Sequence, residues 1–265
     1  MEVRVEGEGA DILRQGEKNL AREAVEALFR RAGRRAEGLR LELENRVPLG
    51  RGLGSSACAI AGGLVAANLF LGSPFAPEEL FQMAADMEGH PDNVAPALFG
   101  GFQAVARTEG GWIRLPLPLP QGVGIHVLIP SCRLPTAAAR RVLPERVSLA
   151  DAVFNLQRAA MLPLALSRGG GELLPQLLRD RLHQPYRLPL LPGWEEALEG
   201  CFLPPLLGGC LSGSGPSLLA FSPPGAEGVE AALHRVAGLL RKEGEVRVLT
   251  LAPSPRGALE AAELR

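Results

Sequence analysis

The sequence has little lysine, few cysteines, almost no net charge and no long apolar run. Its 265 residues include two lysines and four cysteines, and the formal net charge is −1. No cysteine pair has the Cys-x-x-Cys spacing, so neither a zinc site nor a disulfide framework is indicated, and the cysteines are interpreted as small buried side chains. A charge near zero gives no electrostatic reason to expect nucleic acid or an anionic membrane as a partner.

The sequence also lacks the features of a membrane or exported protein. The apolar segment Leu203–Leu211 is interrupted by Pro204 and Pro205 and is too short to span a bilayer. Residues Glu2–Gly7 alternate polar and apolar side chains, which is typical of a strand and not of the apolar core of a signal peptide. We therefore expect a cytoplasmic protein with no membrane segment, long enough for one large or two modest domains.

Glycine and serine are concentrated in one segment that leads into a predicted helix over Ala57–Phe70. The segment Pro48–Ala57 reads Pro-Leu-Gly-Arg-Gly-Leu-Gly-Ser-Ser-Ala. Glycine permits positive φ and close approach of a ligand, and the first turn of a helix offers unpaired N–H groups to an anion. A phosphate-binding loop is indicated, but no lysine precedes the serines, which excludes the nucleotide loop ending in Gly-Lys-Ser/Thr. The alternative is a turn in which Ser55 or Ser56 merely caps a core helix.

The rest of the chain alternates predicted strands and helices without a strict strand–helix–strand rhythm, which indicates the α+β class. A helix is predicted over Lys18–Gly33, a loop over Gly89–Pro96 and a strand over Leu98–Arg107. The tract Gly110–Gly122 is rich in proline and glycine and is predicted to be the seam between two domains, 1–122 and 123–265.

Two further segments carry polar or turn-forming residues. Glu88–Pro96 brings a carboxylate, an imidazole and an amide onto a short loop, and such groups are costly to bury unpaired. They therefore face solvent or converge on a polar ligand. Gly208–Ser217 contains Ser-Gly-Ser-Gly-Pro-Ser, which by itself indicates only a tight turn.

Together these segments resemble the GHMP kinases, the family of galactokinase, homoserine kinase, mevalonate kinase and phosphomevalonate kinase. Pro48–Ala57 is similar to the family's Pro-x-x-x-Gly-Leu-Gly-Ser-Ser-Ala signature, and Gly208–Ser217 to its Ser-Gly-x-Gly-Pro-Ser/Thr signature. Glu88–Phe102 resembles the corresponding loop of bacterial homoserine kinases. The resemblance implies a two-domain fold, with an N-terminal domain like domain 2 of ribosomal protein S5 and a ferredoxin-like α/β sandwich as the C-terminal domain.

The activity implied by the resemblance is the ATP-dependent phosphorylation of the side-chain hydroxyl of L-homoserine to O-phospho-L-homoserine, a step of threonine biosynthesis. ATP and Mg²⁺ are the implied cofactors. Two alternatives stay open: another GHMP small-molecule kinase such as mevalonate kinase, and a non-catalytic GHMP-like binding protein. The family tends to form homodimers, but the sequence fixes neither the oligomeric state nor inhibition by threonine.

The resemblance also implies roles for individual residues. Ser56 and Asp86 would hold Mg²⁺, with Glu88 as the alternative acid, and Asn93 would orient the substrate hydroxyl; no general base is assigned. ATP would bind the loop made of Pro48, Leu49, Gly50, Arg51, Gly52, Leu53, Gly54, Ser55, Ser56 and Ala57. The substrate would contact His90, Asp92, Asn93, Thr136, Arg140, Arg187, Ser212, Gly213 and Gly215. The two arginines are candidates because a guanidinium binds a carboxylate through two parallel hydrogen bonds, although most surface arginines simply face solvent.

One family segment is not found in the sequence. Homoserine kinases begin with Pro-x-Ser-x-Asn-Leu-Gly-x-Gly-Phe-Asp, whose asparagine and aspartate hold the substrate, and Met1 lies downstream of the place of that segment. Either Met1 is an internal codon of a longer reading frame, or the chain is a natural variant that has lost part of its substrate site. For the sequence as given we expect weak or absent kinase activity and reduced stability, because sheet edges and apolar surface would be uncovered.

Overall fold

The chain folds into two compact units that do not follow the sequence as two simple halves. The computed structural model describes residues 1–15, 19–241 and 244–263. The first unit comprises Met1–Leu49, Gly54–Pro118 and the C-terminal segment from Ser254, and the second comprises Gly50–Leu53 and Leu119–Pro253. The division at Pro118 falls inside the predicted seam. The predicted bounds 1–122 and 123–265 differ from the structure at the C-terminus, because the segment from Ser254 belongs to the first unit.

The first unit contains two small sheets and a group of helices. Strands β1 (Glu2–Gly7) and β2 (Arg40–Asn45) pair in parallel, with α1 (Ala10–Gln15) and α2 (Leu20–Arg31) between them in the chain. Helices α3 (Ser55–Phe70), α4 (Pro77–Glu88) and α5 (Val94–Phe99) follow, and then the antiparallel hairpin of β3 (Phe102–Thr108) and β4 (Gly111–Leu117). A helix over Ala258–Glu263 packs against α3 and α5.

Helix α3, which the sequence predicts as a helix, is apolar on nearly all sides and is largely buried in this unit. Ile60 and Leu64 are fully buried and pack in one hydrophobic cluster with Phe81 of α4. Gly63 permits the close approach of α2, since a Cβ atom there would lie 2.5 Å from the carbonyl oxygen of Ala21. The packing of α3 fixes the position of its first turn, which follows the glycine loop.

The second unit is built on a four-stranded antiparallel sheet with the strand order β6-β7-β5-β8. In chain order its elements are β5 (Gly124–Pro130), α6 (Thr136–Arg141), α7 (Leu149–Arg168), α8 (Leu174–Leu177), α9 (Gln184–Arg187), α10 (Trp194–Gly200), β6 (Gly208–Leu211), β7 (Leu218–Ser222), α11 (Val229–Leu240) and β8 (Val246–Leu251). Helices separate the first strand from the second and the third from the fourth, which is the ferredoxin-like β-α-β-β-α-β arrangement. This confirms the α+β class and the expected C-terminal domain.

Some predicted element bounds are corrected. The strand predicted over Leu98–Arg107 begins only at Phe102, because α5 continues to Phe99 and the chain turns at Gly100 with φ of 73°. The predicted loop Gly89–Pro96 is shortened by the same helix. The predicted seam Gly110–Gly122 is largely strand β4, which can include proline because it is an edge strand. The helix predicted over Lys18–Gly33 is observed as α2, and Lys18 lies outside the described residues.

The cysteines confirm the expectation of buried side chains only in part: Cys201 is buried, Cys132 and Cys210 are partly buried, and Cys58 is exposed. Burial raises the pKa of the Cys201 and Cys210 thiols to about 12, so both remain protonated and have a structural character. Cys58 is exposed on α3, which corrects its interpretation as a buried side chain. Among the helices of the described residues, none combines the length and the apolarity needed to cross a membrane.

Candidate active site

The glycine loop Pro48–Ala57 is shaped by three glycines in the left-handed region. Gly50, Gly52 and Gly54 have φ of 64°, 70° and 73°, where other residues are strained. Helix α3 begins directly after Gly54, and no side chain of the described residues caps it. The serines that follow Gly54 are therefore not caps, and the N–H groups of the first turn are left for an anion.

The turn Ser212–Gly215 lies directly against Gly52 of this loop within the second unit. Ser212 Oγ donates a hydrogen bond to the carbonyl oxygen of Gly52 at 2.8 Å. A Cβ atom on Gly52 would lie 2.1 Å from the carbonyl oxygen of Ser212 and 2.7 Å from that of Gly215. Gly213 and Gly215 also have positive φ, of 57° and 81°. Only glycine fits at position 52, so the predicted residues of this turn support the loop.

Arg51 anchors the loop to the end of β5. Its guanidinium donates to the carbonyl oxygens of Pro130 at 2.7 Å and Ser131 at 2.5 Å, and its own carbonyl accepts from the N–H of Ser217 at 3.4 Å. The N–H and C=O of a trans peptide point in opposite directions. Because the carbonyls of Arg51 and Gly52 face these donors, the N–H groups of the same two peptides point away from them. That side of the loop presents hydrogen-bond donors to a ligand.

Ser56 in the first turn of α3 meets Glu88 at the end of α4. Ser56 Oγ donates to Glu88 Oε1. Asp86 is exposed and accepts from the indole Nε1 of Trp112 at 3.0 Å. Side chains two positions apart in a helix point to roughly opposite sides. One of these carboxylates therefore faces α3, and the other faces β4. Of the two acids that the sequence offers as partners of Ser56, the structure brings Glu88 to it and not Asp86.

A hydroxyl and a carboxylate are hard oxygen donors, and this set is suited to Mg²⁺. Within residues 1–15, 19–241 and 244–263, no group of three or more His, Cys, Asp or Glu side chains could form a closed metal cage. Mg²⁺ typically uses one or two protein carboxylates together with waters and substrate phosphates. The Ser56–Glu88 pair fits that mode of binding, since it adjoins a loop that offers donors to phosphate.

Asn93 lies beside the other end of the glycine loop within the first unit. A Cβ atom on Gly54 would lie 3.3 Å from Oδ1 of Asn93. The backbone N–H of Asn93 donates to Oδ1 of Asp92 at 2.9 Å, and the same oxygen is 3.0 Å from Nδ1 of His90. Asp92 therefore organises the segment between α4 and α5. The three predicted residues of this segment are brought together, and the Asn93 amide contacts the loop.

The predicted carboxylate-binding residues lie together in the second unit. Arg187 donates from Nε to the carbonyl of Ala139 at 3.2 Å and from Nη1 to the carbonyl of Gly213 at 3.3 Å. Burial and the nearby charge of Arg140 lower the pKa of Arg187, although a guanidinium stays protonated at neutral pH. Thr136 and Arg140 are exposed on α6. The result is a positive region beside the turn that supports the glycine loop.

A buried carboxylate near Arg187 was missed by the sequence analysis. Asp180 accepts from the backbone N–H groups of His183 at 2.8 Å and Gln184 at 2.6 Å, and from Nδ2 of Asn155 at 2.6 Å. Burial acts to raise the pKa of Asp180, but these hydrogen bonds outweigh burial and lower it. An acid four residues ahead of the helix-starting pair Gln184-Pro185 is the sequence signal that could have identified this contact.

The chain matches two domain models of one family. The model of the GHMP kinases N terminal domain matches residues 19–101, and the model of the GHMP kinases C terminal domain matches residues 163–237. The first match includes the glycine loop and the segment with Asn93, and the second includes Arg187 and the Ser212–Gly215 turn. Both parts of the site therefore lie in family-matched regions.

Relatives and solved structures agree with that family. A homoserine kinase of Moorella thermoacetica is 43% identical over 258 residues, which are 97% of this chain and 86% of the relative. A homoserine kinase of Thermus thermophilus is 44% identical over 222 residues, 84% of this chain and 74% of the relative. The crystal structure of homoserine kinase from Cytophaga hutchinsonii superposes with a TM-score of 0.80 at 28% identity, covering 96% of this chain and 83% of that one. The crystal structure of mevalonate kinase from L. major shares the fold. It superposes with a TM-score of 0.65 at 16% identity, covering 95% of this chain and 81% of that one.

Proposed function

We propose that this chain, which belongs to the GHMP kinase family and within it to the homoserine kinases, transfers the γ-phosphoryl group of ATP to the side-chain hydroxyl of L-homoserine. The product, O-phospho-L-homoserine, belongs to threonine biosynthesis. The proposal rests on one observation above all: a glycine loop with three positive φ angles, whose Gly54 lies beside Asn93 and whose Ser56 meets Glu88. Relatives named homoserine kinase that cover nearly the whole chain support the choice of substrate.

The loop and the first turn of α3 are proposed to bind the phosphates of ATP. The phosphates would accept hydrogen bonds from the N–H groups that point away from the Ser212–Gly215 turn, and from those at the start of α3. Donors held in place before the reaction stabilise negative charge as it develops on the transferring group. The role of this loop is therefore both binding and charge stabilisation.

Ser56 and Glu88 are proposed to hold Mg²⁺, in place of the expected Ser56 and Asp86. Mg²⁺, when bound, neutralises charge on the phosphate oxygens. Glu88 lies at the C-terminal end of α4, where the helix dipole disfavours a negative charge. A nearby cation would stabilise the negative charge of a carboxylate at that position, which favours Glu88 as the ligand.

The substrate is proposed to be positioned rather than activated by a strong base. Asn93 would orient the hydroxyl of homoserine, and Arg140 and Arg187 would bind its carboxylate. His90 and Asp92 complete the segment that holds Asn93. No general base is assigned, because phosphoryl transfer through a loose transition state depends mainly on positioning and electrostatic stabilisation.

The substrate assignment is tested by a coupled assay of ADP release with L-homoserine and, separately, with mevalonate. We expect release only with L-homoserine, and mass spectrometry should identify O-phospho-L-homoserine as the product. Release with mevalonate alone would identify a different GHMP kinase. Binding of ATP without turnover of either substrate would identify a binding protein.

A further inference from the structure

His183 lies between a buried carboxylate and the predicted carboxylate-binding arginine. Its Nδ1 atom is 3.2 Å from Nη1 of Arg187, and its Nε2 atom is 3.8 Å from Oδ1 of Asp180. His183 is the N-cap residue of α9, and Arg187, four positions later, is the last residue of that helix. Asp180 is only 8% exposed and accepts the N–H groups at the start of α9. The helix that carries Arg187 is thus fixed at its N-terminus by Asp180.

The contact with Arg187 determines the protonation of the His183 ring. A guanidinium has donors and no acceptor, so Nδ1 of His183 must be the acceptor in this hydrogen bond. The neutral ring then carries its proton on Nε2, the atom that faces Asp180. Burial lowers the pKa of His183, the charge of Arg187 lowers it further and Asp180 opposes them. A neutral His183 at pH 7 is therefore consistent with its surroundings.

Three acceptors hold the guanidinium of Arg187 in one orientation. They are the carbonyl of Ala139, the carbonyl of Gly213 and Nδ1 of His183. Two of them are backbone atoms, and His183 is the side chain among them. The Nη2 group makes no hydrogen bond to any residue that the structure describes, so it remains for a ligand. A flexible arginine loses considerable rotamer freedom when it is ordered, and fixed acceptors remove that loss from the binding step.

We propose that His183 is a positioning residue for the substrate carboxylate. It holds the Arg187 guanidinium so that the remaining N–H donors face a carboxylate, and it makes the protein selective for an amino acid over an amino alcohol. Arg187 is also close to the glycine loop, because the Gly213 carbonyl that accepts from Arg187 belongs to a residue beside Gly52. A Cβ atom on Gly213 would lie 3.3 Å from the carbonyl oxygen of Gly52. This inference rests on the proposed function, in which Arg187 binds the carboxylate of homoserine.

Protonation of His183 would remove its effect. An imidazolium has no acceptor for Arg187 and repels the guanidinium. The charged groups that face His183 are Asp180 and Arg187, and Arg140 adds positive charge beside Arg187. Burial and the charge of Arg187 oppose protonation of His183, and the charge of Asp180 favours it. Affinity for the carboxylate should therefore fall on the acid side of the ordinary histidine pKa of about 6.5.

The test compares two variants of His183 with two substrates. His183→Leu removes the acceptor, whereas His183→Asn keeps one, because Oδ1 of asparagine is as many bonds from the backbone as Nδ1 of histidine. Steady-state kinetics are measured with L-homoserine and with 3-aminopropan-1-ol, which has the amine and the hydroxyl but no carboxylate. For His183→Leu we expect the KM for L-homoserine to rise about tenfold, the effect of one charged hydrogen bond. The KM for ATP and kcat/KM for the amino alcohol should stay within about twofold of the wild-type values.

His183→Asn should restore most of the affinity for L-homoserine. In the wild type we expect the KM for L-homoserine to rise between pH 7 and pH 5.5, and this rise should be absent in His183→Asn. Equal losses with both substrates, or a lower unfolding midpoint with no change in the KM for L-homoserine, would overturn the inference and leave the proposed function intact. A wild-type protein that binds ATP but neither binds nor phosphorylates L-homoserine would contradict both.

Discussion

At the scale of single residues, the direction of one side chain decides which acid can act at the site. Asp86 and Glu88 are both acidic and two positions apart, yet one accepts from Trp112 and the other from Ser56. The chemistry of the two carboxylates is nearly the same, so their different surroundings give them different roles. Position on the helix, and not residue type, makes Glu88 the proposed ligand.

Glu88→Gln is therefore expected to weaken the response to Mg²⁺. An amide keeps the size of the side chain but loses its charge, and we expect the Mg²⁺ concentration for half-maximal activity to rise by about tenfold or more. Asp86→Asn is the matched control, since its amide oxygen still accepts from Trp112, and its effect should stay within about twofold. Titration of the kinase rate with MgCl₂ measures both. A larger effect of Asp86→Asn would return the metal role to Asp86.

At the scale of elements, the distance between α2 and α3 is set by one glycine. A Cβ atom on Gly63 would lie 2.5 Å from the carbonyl oxygen of Ala21 and 3.0 Å from Cβ of Ala24, whereas nothing lies within 4 Å of a Cβ atom on Gly62. The two glycines are neighbours in the same helix and differ only in the face they occupy. They form a natural pair for a test of helix packing.

Gly63→Ala should lower the free energy of unfolding by roughly 1–3 kcal/mol, because the added methyl group forces α2 away from α3. Gly62→Ala should raise it by about 0.5–1 kcal/mol, because alanine favours the helix and meets no neighbour. Urea denaturation followed by circular dichroism measures both changes. A free energy of unfolding that is unchanged or raised in Gly63→Ala would show that the α2–α3 contact is looser than the structure indicates.

At the scale of the whole molecule, the stability of the fold should depend on a buried histidine in the central sheet. His126 of β5 is buried, with Nδ1 2.9 Å from Oγ1 of Thr250 and Nε2 3.0 Å from Oγ of Ser222. Burial lowers the pKa of His126 below its usual value of 6.5. The unfolded chain therefore binds a proton more readily than the folded chain does, and acid favours unfolding.

We expect the free energy of unfolding to be highest above pH 6.5, to decrease as the pH falls through that value, and to level off below the pKa of the folded state. His183, whose pKa is also lowered by burial, acts in the same direction. Urea titrations between pH 8 and pH 5.5 measure the slope. His126→Gln should reduce that slope even if it lowers stability at every pH, and an unchanged slope would mean that other groups dominate the acid dependence.

The sequence by itself determined the features that depend on short, local patterns. Alternation over Glu2–Gly7 predicts the strand that is observed, and the apolar stretch after Ser56 predicts the buried helix α3. The positive φ angles of the loop also follow from local sequence, because glycine adopts such angles without the strain that other residues have there. Residue spacing in the loop and in the Ser212–Gly215 turn was also sufficient to identify the family.

Only the tertiary structure decided which distant residues meet. The choice of Glu88 over Asp86, the return of the C-terminal segment to the first unit, and the contact of His183 with Arg187 and Asp180 are not visible in any local pattern. These contacts depend on how helices rotate and pack, which follows from burial over the whole core and not from the residues nearby in the chain. Local periodicity fixes where an element lies along the sequence, and packing fixes which of its faces reaches a partner.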